Sequence, residues 1–325
     1  MTAPVLEIHL SDSDAADALR HDVRVGLSAD PKWLPPKWFY DARGSELFEQ
    51  ITTLTEYYPT RTERELLRRS AGEIAEWAAV DTLVELGSGS SEKTRLLLDA
   101  LTTSGSLQRF VPLDVSESAL RGAMTAVARE YPGLAVHGVV GDFTQHLELL
   151  PAGQSGRRLV AFLGGTIGNL LPDERAGFFT ALRGALDPGE LLLLGAGLVT
   201  DPAVMVHAYD DAAGVTAEFN RNVLHVLNRE LGADFDVASF DHVAVWDATH
   251  EWIEMRLRAC RAMTVRLPAV DMTVYYADGE EMCTEVSGKF RRDGLSKELD
   301  AAGFDLAHWW TDPAERFALS LATRQ

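Results

Sequence analysis

Between residues 81 and 199, five short and nearly unbroken apolar runs alternate with amphipathic segments, and this alternation constrains the fold most. The runs are "DTLVELG" (81–87), "RFVPLDV" (109–115), "LAVHGVVGDF" (134–143), "RRLVAFLGG" (157–165) and "ELLLLGAG" (190–197). Runs that are apolar throughout predict strands buried on both faces. The segments between them carry helical spacing, as in "SESALRGAMTAVAREY" with Leu120, Met124 and Val127. "PDERAGFFTALRGALDPG" opens near Pro172 and closes past Gly189, the asymmetry expected of a helix. Strands joined through helices predict a parallel sheet covered on both sides.

The texture changes near Asp201. A long helical segment, "YDDAAGVTAEFNRNVLHVLNREL", comes first. The alternating segments "HVAVW", "EWIEMRLRACRAMTVRL" and "MTVYYADGEEMCTEVSGKF" follow, with "DATHE" and "ADGEE" reading as hairpin turns between them. The chain then returns to a helix ("SKELDAAGF") and two apolar strands, "DLAHWWT" and "FALSLATR", split by "DPAER". These predict an antiparallel hairpin finishing the parallel sheet. The expectation is a doubly wound core over 62–199 and 290–325. The segments 1–61 and 200–289 would form a second, substrate-facing lobe.

Charge bears on partners. The formal net charge is -19. A surface this acidic repels phosphate groups, so neither nucleic acid nor an anionic membrane is expected, and a small-molecule substrate is. The N-terminal "MTAPVLEIHLSDSDAADALR" lacks a basic start followed by an apolar run. No apolar stretch approaches the roughly 20 residues of a membrane span, and a cytoplasmic location is expected. Cys260 and Cys283 match no zinc or redox spacing and the histidines show no metal-binding pattern, so no metal is expected. Nothing in the sequence requires more than a monomer.

"VELGSGSSEKT" (84–94) follows the first apolar run. Gly87 and Gly89 form G-x-G, but Glu92 stands where the dinucleotide fingerprint needs a third glycine. Glu85 adds negative potential, which suits a sulfonium or an amino group and opposes a pyrophosphate. Lys93 pulls the other way, although a cofactor carboxylate would also want it. This turn alone leaves S-adenosylmethionine, a nicotinamide or flavin nucleotide, and a plain tight turn open. Asp114 ends the second run, where a carboxylate can take both ribose hydroxyls, as acids in NAD enzymes also do. Asp142 and Phe143 of "GDF" end the third. They suit an adenine amino group and ring, or else a strand-end turn with a core phenylalanine. "FLGGTIGN" ends the fourth, its glycines allowing close backbone approach and Asn169 closing the turn. All four lie at C-terminal strand ends, where open α/β sheets bind ligands. Together they favour S-adenosylmethionine and methyl transfer.

"PPKWFYDARGSELFEQITTLTEYYPTRTE" (35–63), "VELGSGSSEKT", "FLGGTIGN", "AYDDAAGVTAEFNRNVL" (208–224), "IEMRLRA" (253–259) and "GEEMCTEVSGKF" (279–290) resemble the ergothioneine-pathway histidine N-alpha-methyltransferases. The resemblance runs from Ala16 to the C-terminus. It implies a class I S-adenosylmethionine-dependent methyltransferase core, Rossmann-like, with an inserted α+β substrate-binding lobe. It further implies three methyl transfers to the alpha-amine of L-histidine, giving the betaine hercynine. It places the cofactor on Gly87, Lys93, Asp114, Asp142 and Phe143. The substrate carboxylate falls to Tyr57, Asn169 and Tyr209, and Tyr40 stands beside the reacting amine. The imidazole falls to Glu285 and Ser287, with Met255 and Thr216 in the same pocket. Tyr40 and Asn169 are the implied catalytic residues.

Several of these positions have a physical reading of their own. Glu285 and Ser287 lie two apart on an expected strand, so they project from one face, roughly 6–7 Å apart. A neutral imidazole has one donor and one acceptor nitrogen, which a carboxylate and a hydroxyl can both satisfy. Without the resemblance, that pair would read as a solvated strand face. Met255, on the apolar face with Ile253 and Leu257, would read as core. Tyr57 and Tyr58 precede Pro59 and are expected in an extended segment, pointing to opposite sides. The chain departs from the family pattern at Gly197, where an acid is frequent, at Thr200, where a lysine is common, and at Gly165, which replaces a serine. Three other readings stay open: an N-methyltransferase for tryptophan or a derivative, a nicotinamide oxidoreductase, and a non-catalytic binding protein. An indole offers one donor and no acceptor, which counts against the first. The missing third glycine counts against the second.

Overall fold

The computed structural model describes residues 4–151 and 156–325. In chain order its first half runs β1 (Val5–Ile8), α1 (Asp12–Ser28), β2 (Lys32–Trp33), α2 (Ala42–Thr53), α3 (Tyr58–Ala78), β3 (Thr82–Leu86), α4 (Arg95–Thr103), β4 (Arg109–Asp114), α5 (Glu117–Glu130), β5 (Ala135–Val140) and β6 (Arg158–Phe162). Then come α6 (Pro172–Ala185), β7 (Leu191–Gly197), α7 (Pro202–Tyr209), α8 (Val215–Leu231), β8 (Phe240–Asp247), β9 (Trp252–Ala259), β10 (Met263–Leu267), β11 (Met272–Tyr276), β12 (Glu281–Gly288), α9 (Arg292–Ala301), β13 (Phe304–Thr311) and β14 (Phe317–Arg324). Two compact units result. One comprises Met1–Ser11, Thr62–Leu198 and Phe290–Gln325, the other Asp12–Arg61 and Val199–Lys289.

The first unit is built on one eight-stranded sheet in the order β1-β5-β4-β3-β6-β7-β14-β13. The strands from β1 to β7 in that order pair in parallel, and β14 and β13 close the sheet as an antiparallel hairpin. Strand side chains alternate between faces, and the core divides accordingly. Leu83, Leu159, Ala161, Leu191 and Leu193 pack with α3, α4 and α5 through Leu67, Ile74, Leu97, Leu101, Leu120 and Val127. Val84, Val160, Phe162, Leu192 and Leu194 pack with α6 and α9 through Phe178, Phe179, Leu182, Leu295 and Leu299. This is the doubly wound architecture expected from the apolar runs.

Two expectations need correction here. Residues 1–61 do not all belong to the second lobe, because Val5–Ile8 pair in register with His137–Val140 and extend the first sheet by one strand. The strand is four residues long and half exposed, which leaves no periodic signature to read. Tyr58 is not extended. It opens α3, with Pro59 in the first turn, where a missing N–H costs no intrahelical bond.

The second unit carries a four-stranded sheet, β2-β12-β9-β8, and a separate β10–β11 hairpin. On β9, Ile253, Met255, Leu257 and Ala259 point into a core shared with α1, α2, α7 and α8. Glu254, Arg256 and Arg258 take the opposite face, where Arg256 and Arg258 pair with Glu281. "DATHE" is the β8–β9 hairpin turn. "ADGEE" is not a hairpin turn, since β11 pairs with β10 whereas β12 pairs with β9 and β2. The helical segment expected from Tyr209 is broken. α7 ends at Tyr209, and α8 begins after Gly214, whose φ of 76° suits glycine. The Asp211 carboxylate caps α8 by accepting from the Val215 and Thr216 N–H groups at 3.0 and 2.7 Å.

Candidate active site

In the first unit, register gathers the four turns read from the sequence. Leu86 pairs with Leu113 on one side and Phe162 on the other, and Asp114 pairs with Val140. The turns after β3, β4, β5 and β6 therefore leave the sheet at one edge. Gly87 and Gly89 take φ of 65° and 49°, which L side chains rarely adopt. The Gly89 N–H donates to Asp114 Oδ2 at 2.8 Å and the Ser116 N–H to Oδ1 at 2.9 Å. Asp114 thus fixes the glycine turn from the neighbouring strand. Burial pushes its pKa up, against those backbone N–H bonds. Asp142 Oδ1 accepts from the Thr144 N–H and hydroxyl at 2.8 and 2.7 Å. Phe143 packs on Phe162 and Phe178, with ring centroids 4.9 and 6.0 Å away. Gly164 and Gly165 both have positive φ, and Asn169 closes the 3-10 turn Thr166–Asn169.

Two charged residues of the glycine turn behave differently from their sequence reading. Glu85 does not stand open to a ligand's positive charge: its carboxylate accepts from the Ser91 hydroxyl at 2.8 Å and from the Thr94 hydroxyl. Burial pushes its pKa up to about 7. Lys93 pairs with Glu63, a fully buried carboxylate whose other oxygen accepts from the Gly164 N–H at 2.7 Å. A Cβ on Gly195 would overlap the Glu63 carboxylate, which accounts for the glycine in β7. Glu63 is a site residue that the sequence reading missed. Its position in the first turns of a helix, far along the chain from both partners, carries no local signal.

These residues fit S-adenosylmethionine. The Ser88 hydroxyl in the glycine turn is buried and has no partner among the described residues, so it is available to a ligand. Asp114 and Asp142 end adjacent strands and offer acceptors for hydroxyl and amino groups. With Lys93 neutralised by Glu63, the turn lacks the surplus positive charge that a pyrophosphate needs.

The second unit gathers the other candidates. Tyr40, Tyr57 and Tyr209 lie along one run of aromatic rings. Tyr40 packs on Phe48 and Phe219 at 5.6 and 5.4 Å, Phe48 on Tyr57 at 6.2 Å, and Tyr57 on Tyr209 at 6.0 Å. Tyr40 is 43 % exposed, whereas Tyr57 and Tyr209 are buried. Asp41, next to Tyr40, accepts from the Gly44 N–H and the Asn222 amide at 2.8 Å each and so anchors the segment. On β12, a bulge between Cys283 and Glu285 precedes the stretch in which Glu285 pairs with Met255 and Ser287 with Ile253. Glu285 and Ser287 share a strand face, as their spacing requires. Met255 is buried in the core. The Thr216 hydroxyl is buried beside the Asp211 carboxylate but makes no hydrogen bond of good geometry among the described residues. Asn169 belongs to the first unit.

Ser287 does not stand alone. Its hydroxyl lies 2.7 Å from the Tyr209 hydroxyl, and the Lys289 ammonium donates to Ser287 at 2.7 Å and to Tyr209 at 2.9 Å. Burial, with Glu285 nearby, holds the Tyr209 phenol above its usual range. Burial pushes the Lys289 ammonium down, while Tyr58 and Glu285 hold it up. The Tyr209 carbonyl accepts from His242 Nε2 at 2.8 Å, and Nδ1 of that ring meets the Asn220 amide at 2.8 Å. Lys289 is the second residue the sequence reading missed. A signal existed: Glu285, Ser287 and Lys289 keep the period of two. A lysine at a strand end, however, ordinarily reads as exposed.

The profile of the family described as "Histidine-specific methyltransferase, SAM-dependent" matches residues 19–324. The histidine N-alpha-methyltransferases of Mycolicibacterium smegmatis and Mycobacterium tuberculosis are each 58% identical to this chain, over 97% of it and 98% of their own length. Ergothioneine biosynthesis protein 1 of Neurospora crassa is 32% identical over 70% of this chain and 27% of its own.

Proposed function

Because the chain belongs to the histidine-specific, S-adenosylmethionine-dependent methyltransferase family, we propose that it transfers three methyl groups to the alpha-amine of L-histidine. The product is the betaine hercynine, a precursor for ergothioneine biosynthesis. When bound, S-adenosylmethionine supplies an electrophilic methyl group on a sulfonium. Gly87, Lys93, Asp114, Asp142 and Phe143 would hold it. Tyr57, Tyr209 and Asn169 hold the substrate carboxylate, and Thr216 and Met255 complete the pocket. The observation that carries the reading is Glu285 and Ser287 on one face of β12, with Ser287 already bonded to Tyr209. A carboxylate and a hydroxyl at that spacing match the two nitrogens of an imidazole.

Only the unprotonated amine reacts, so each transfer requires loss of a proton. The Tyr40 phenol and the Asn169 side-chain carbonyl accept hydrogen bonds from the amine and orient its lone pair, and positioning supplies most of the rate. The exposure of Tyr40 leaves a path for the proton to solvent. After the third transfer the nitrogen has neither a hydrogen nor a lone pair, and the reaction stops. The reading is tested by incubating the protein with S-adenosylmethionine and each amino acid in turn. Histidine should gain one, two and three methyl groups by mass. Turnover of tryptophan or another amino acid without histidine would refute it. The protein is expected to act in the cytoplasm. Among the described residues no helix is long and apolar enough to cross a membrane.

A further inference from the structure

We propose that Glu63 is a positioning residue for the amino-acid end of the cofactor. It holds the Lys93 ammonium where the cofactor carboxylate can reach it, and so gives the site its preference for S-adenosyl compounds that carry that end. This role rests on the reading in which Lys93 takes the cofactor carboxylate.

Glu63 lies in the second turn of α3 and is fully buried. A buried carboxylate needs partners for its oxygens. Oε1 accepts from the Gly164 N–H at 2.7 Å, and Oε2 accepts from the Lys93 ammonium. Lys93 lies at the end of the glycine turn after β3, Gly164 lies in the turn after β6, and the two strands pair in register. One carboxylate therefore ties the turns of adjacent strands together. An exposed ion pair, Arg64 with Glu92 at 3.1 Å, makes a second tie from α3 to the glycine turn. The space around the carboxylate is kept clear by glycine: a Cβ on Gly195 would overlap Glu63, and one on Gly164 would lie 3.5 Å from Lys93 Nζ.

An ammonium has three donors. Glu63 takes one, and among the described residues no other hydrogen bond reaches Lys93. Glu85, the other carboxylate near it, is engaged by Ser91 and Thr94. Two N–H groups are thus left for a ligand on a side chain that is already held. A lysine without that anchor would lose rotamer freedom when a ligand binds, and affinity would fall accordingly. Removing the Glu63 charge acts with opposite sign on the carboxylate and the ammonium of a zwitterionic amino-acid end. Placement of Lys93 therefore outweighs the change in net charge. A glutamine has a single acceptor oxygen, so at position 63 it can keep Gly164 or Lys93 but not both.

The experiment measures dissociation constants by calorimetry for S-adenosylhomocysteine and 5′-methylthioadenosine. The second ligand keeps the adenosine and the sulfur but carries a methyl group in place of the amino-acid end. Glu63→Gln should weaken S-adenosylhomocysteine about tenfold, the order of one charge-assisted hydrogen bond, and leave 5′-methylthioadenosine within about twofold. Gly195→Ala keeps both charges while its methyl group displaces the carboxylate, and it should show the same selective loss. On a Lys93→Met background, Glu63→Gln should weaken S-adenosylhomocysteine no further, because Glu63 acts through Lys93. A purely structural role would weaken both ligands alike. Equal losses, no loss, tighter S-adenosylhomocysteine binding or a further loss on the Lys93→Met background would overturn the inference. If Glu63→Gln does not fold, judged by its melting transition, Gly195→Ala decides under the same criterion. A wild type that binds neither ligand would defeat the cofactor reading itself. A wild type that binds both, with variants that lose both equally, would defeat only the role of Glu63.

Discussion

The two units build their polar groups by opposite means. At the strand ends of the first, each carboxylate is tied to backbone or hydroxyl groups in nearby turns: Asp114 to Gly89 and Ser116, Asp142 to Thr144, Glu85 to Ser91 and Thr94. In the second, Tyr209, Ser287 and Lys289 come together from a helix end and a strand end. The first arrangement is preformed by turns at the ends of adjacent paired strands. The second exists only once the core around β12 and α7 has closed. Cofactor recognition should therefore be robust to changes in the second unit, and substrate recognition should be the fragile partner.

Glu285→Ala is the sharpest way to break that separation. It should lower kcat/KM for histidine by a factor on the order of 10³–10⁴, as expected when a site loses the polar partner that reads its substrate. S-adenosylmethionine affinity, read by calorimetry, should stay within a few-fold. A comparable loss of both would mean that the two functions are not separable. Asp114→Ala is the converse. With two turn N–H groups orphaned and the ribose acceptor lost, cofactor affinity should fall by about tenfold to a hundredfold, each lost bond costing about 1–3 kcal/mol. An unchanged dissociation constant would remove Asp114 from the cofactor site.

Glu85 tests whether the glycine turn is as preformed as its hydrogen bonds imply. Its pKa is raised from 4.5 to about 7, so the folded state favours the protonated form. Stability from this group is present in full below pH 4.5 and is lost as pH rises toward about 7. Glu85→Gln should flatten that slope, giving a difference on the order of a few kcal/mol between the ends of the window. Parallel melting curves for the two proteins across it would show that Glu85 is not desolvated. The smallest effect is expected at Tyr40. Tyr40→Phe keeps the ring packing on Phe48 and Phe219 and removes one weak acceptor, so kcat should fall several-fold, by about 1 kcal/mol. An unchanged rate at all three methyl transfers would exclude the phenol from the chemistry.

How much was legible follows from range. The apolar runs of the first unit and the turns at their ends were readable because periodicity and turn chemistry are local. The period of two that put Glu285 and Ser287 on one face is equally local. Tyr58 shows where a local rule failed: the bias against helix before proline is outweighed when Pro59 sits in the first turn, where its N–H is not needed.

The sequence by itself determined a doubly wound sheet, a glycine turn without a pyrophosphate fingerprint, and a paired acceptor and hydroxyl on one strand. Only the tertiary structure decided that β1 belongs to the first sheet, that Lys93 is neutralised by Glu63, and that Ser287 is held by Tyr209 and Lys289. The physical reason is common to all three. Each pairs groups far apart along the chain, or buries a charge that sequence reading assigns to the surface. Such contacts follow from which surfaces the packed core brings together, and local patterning does not encode that.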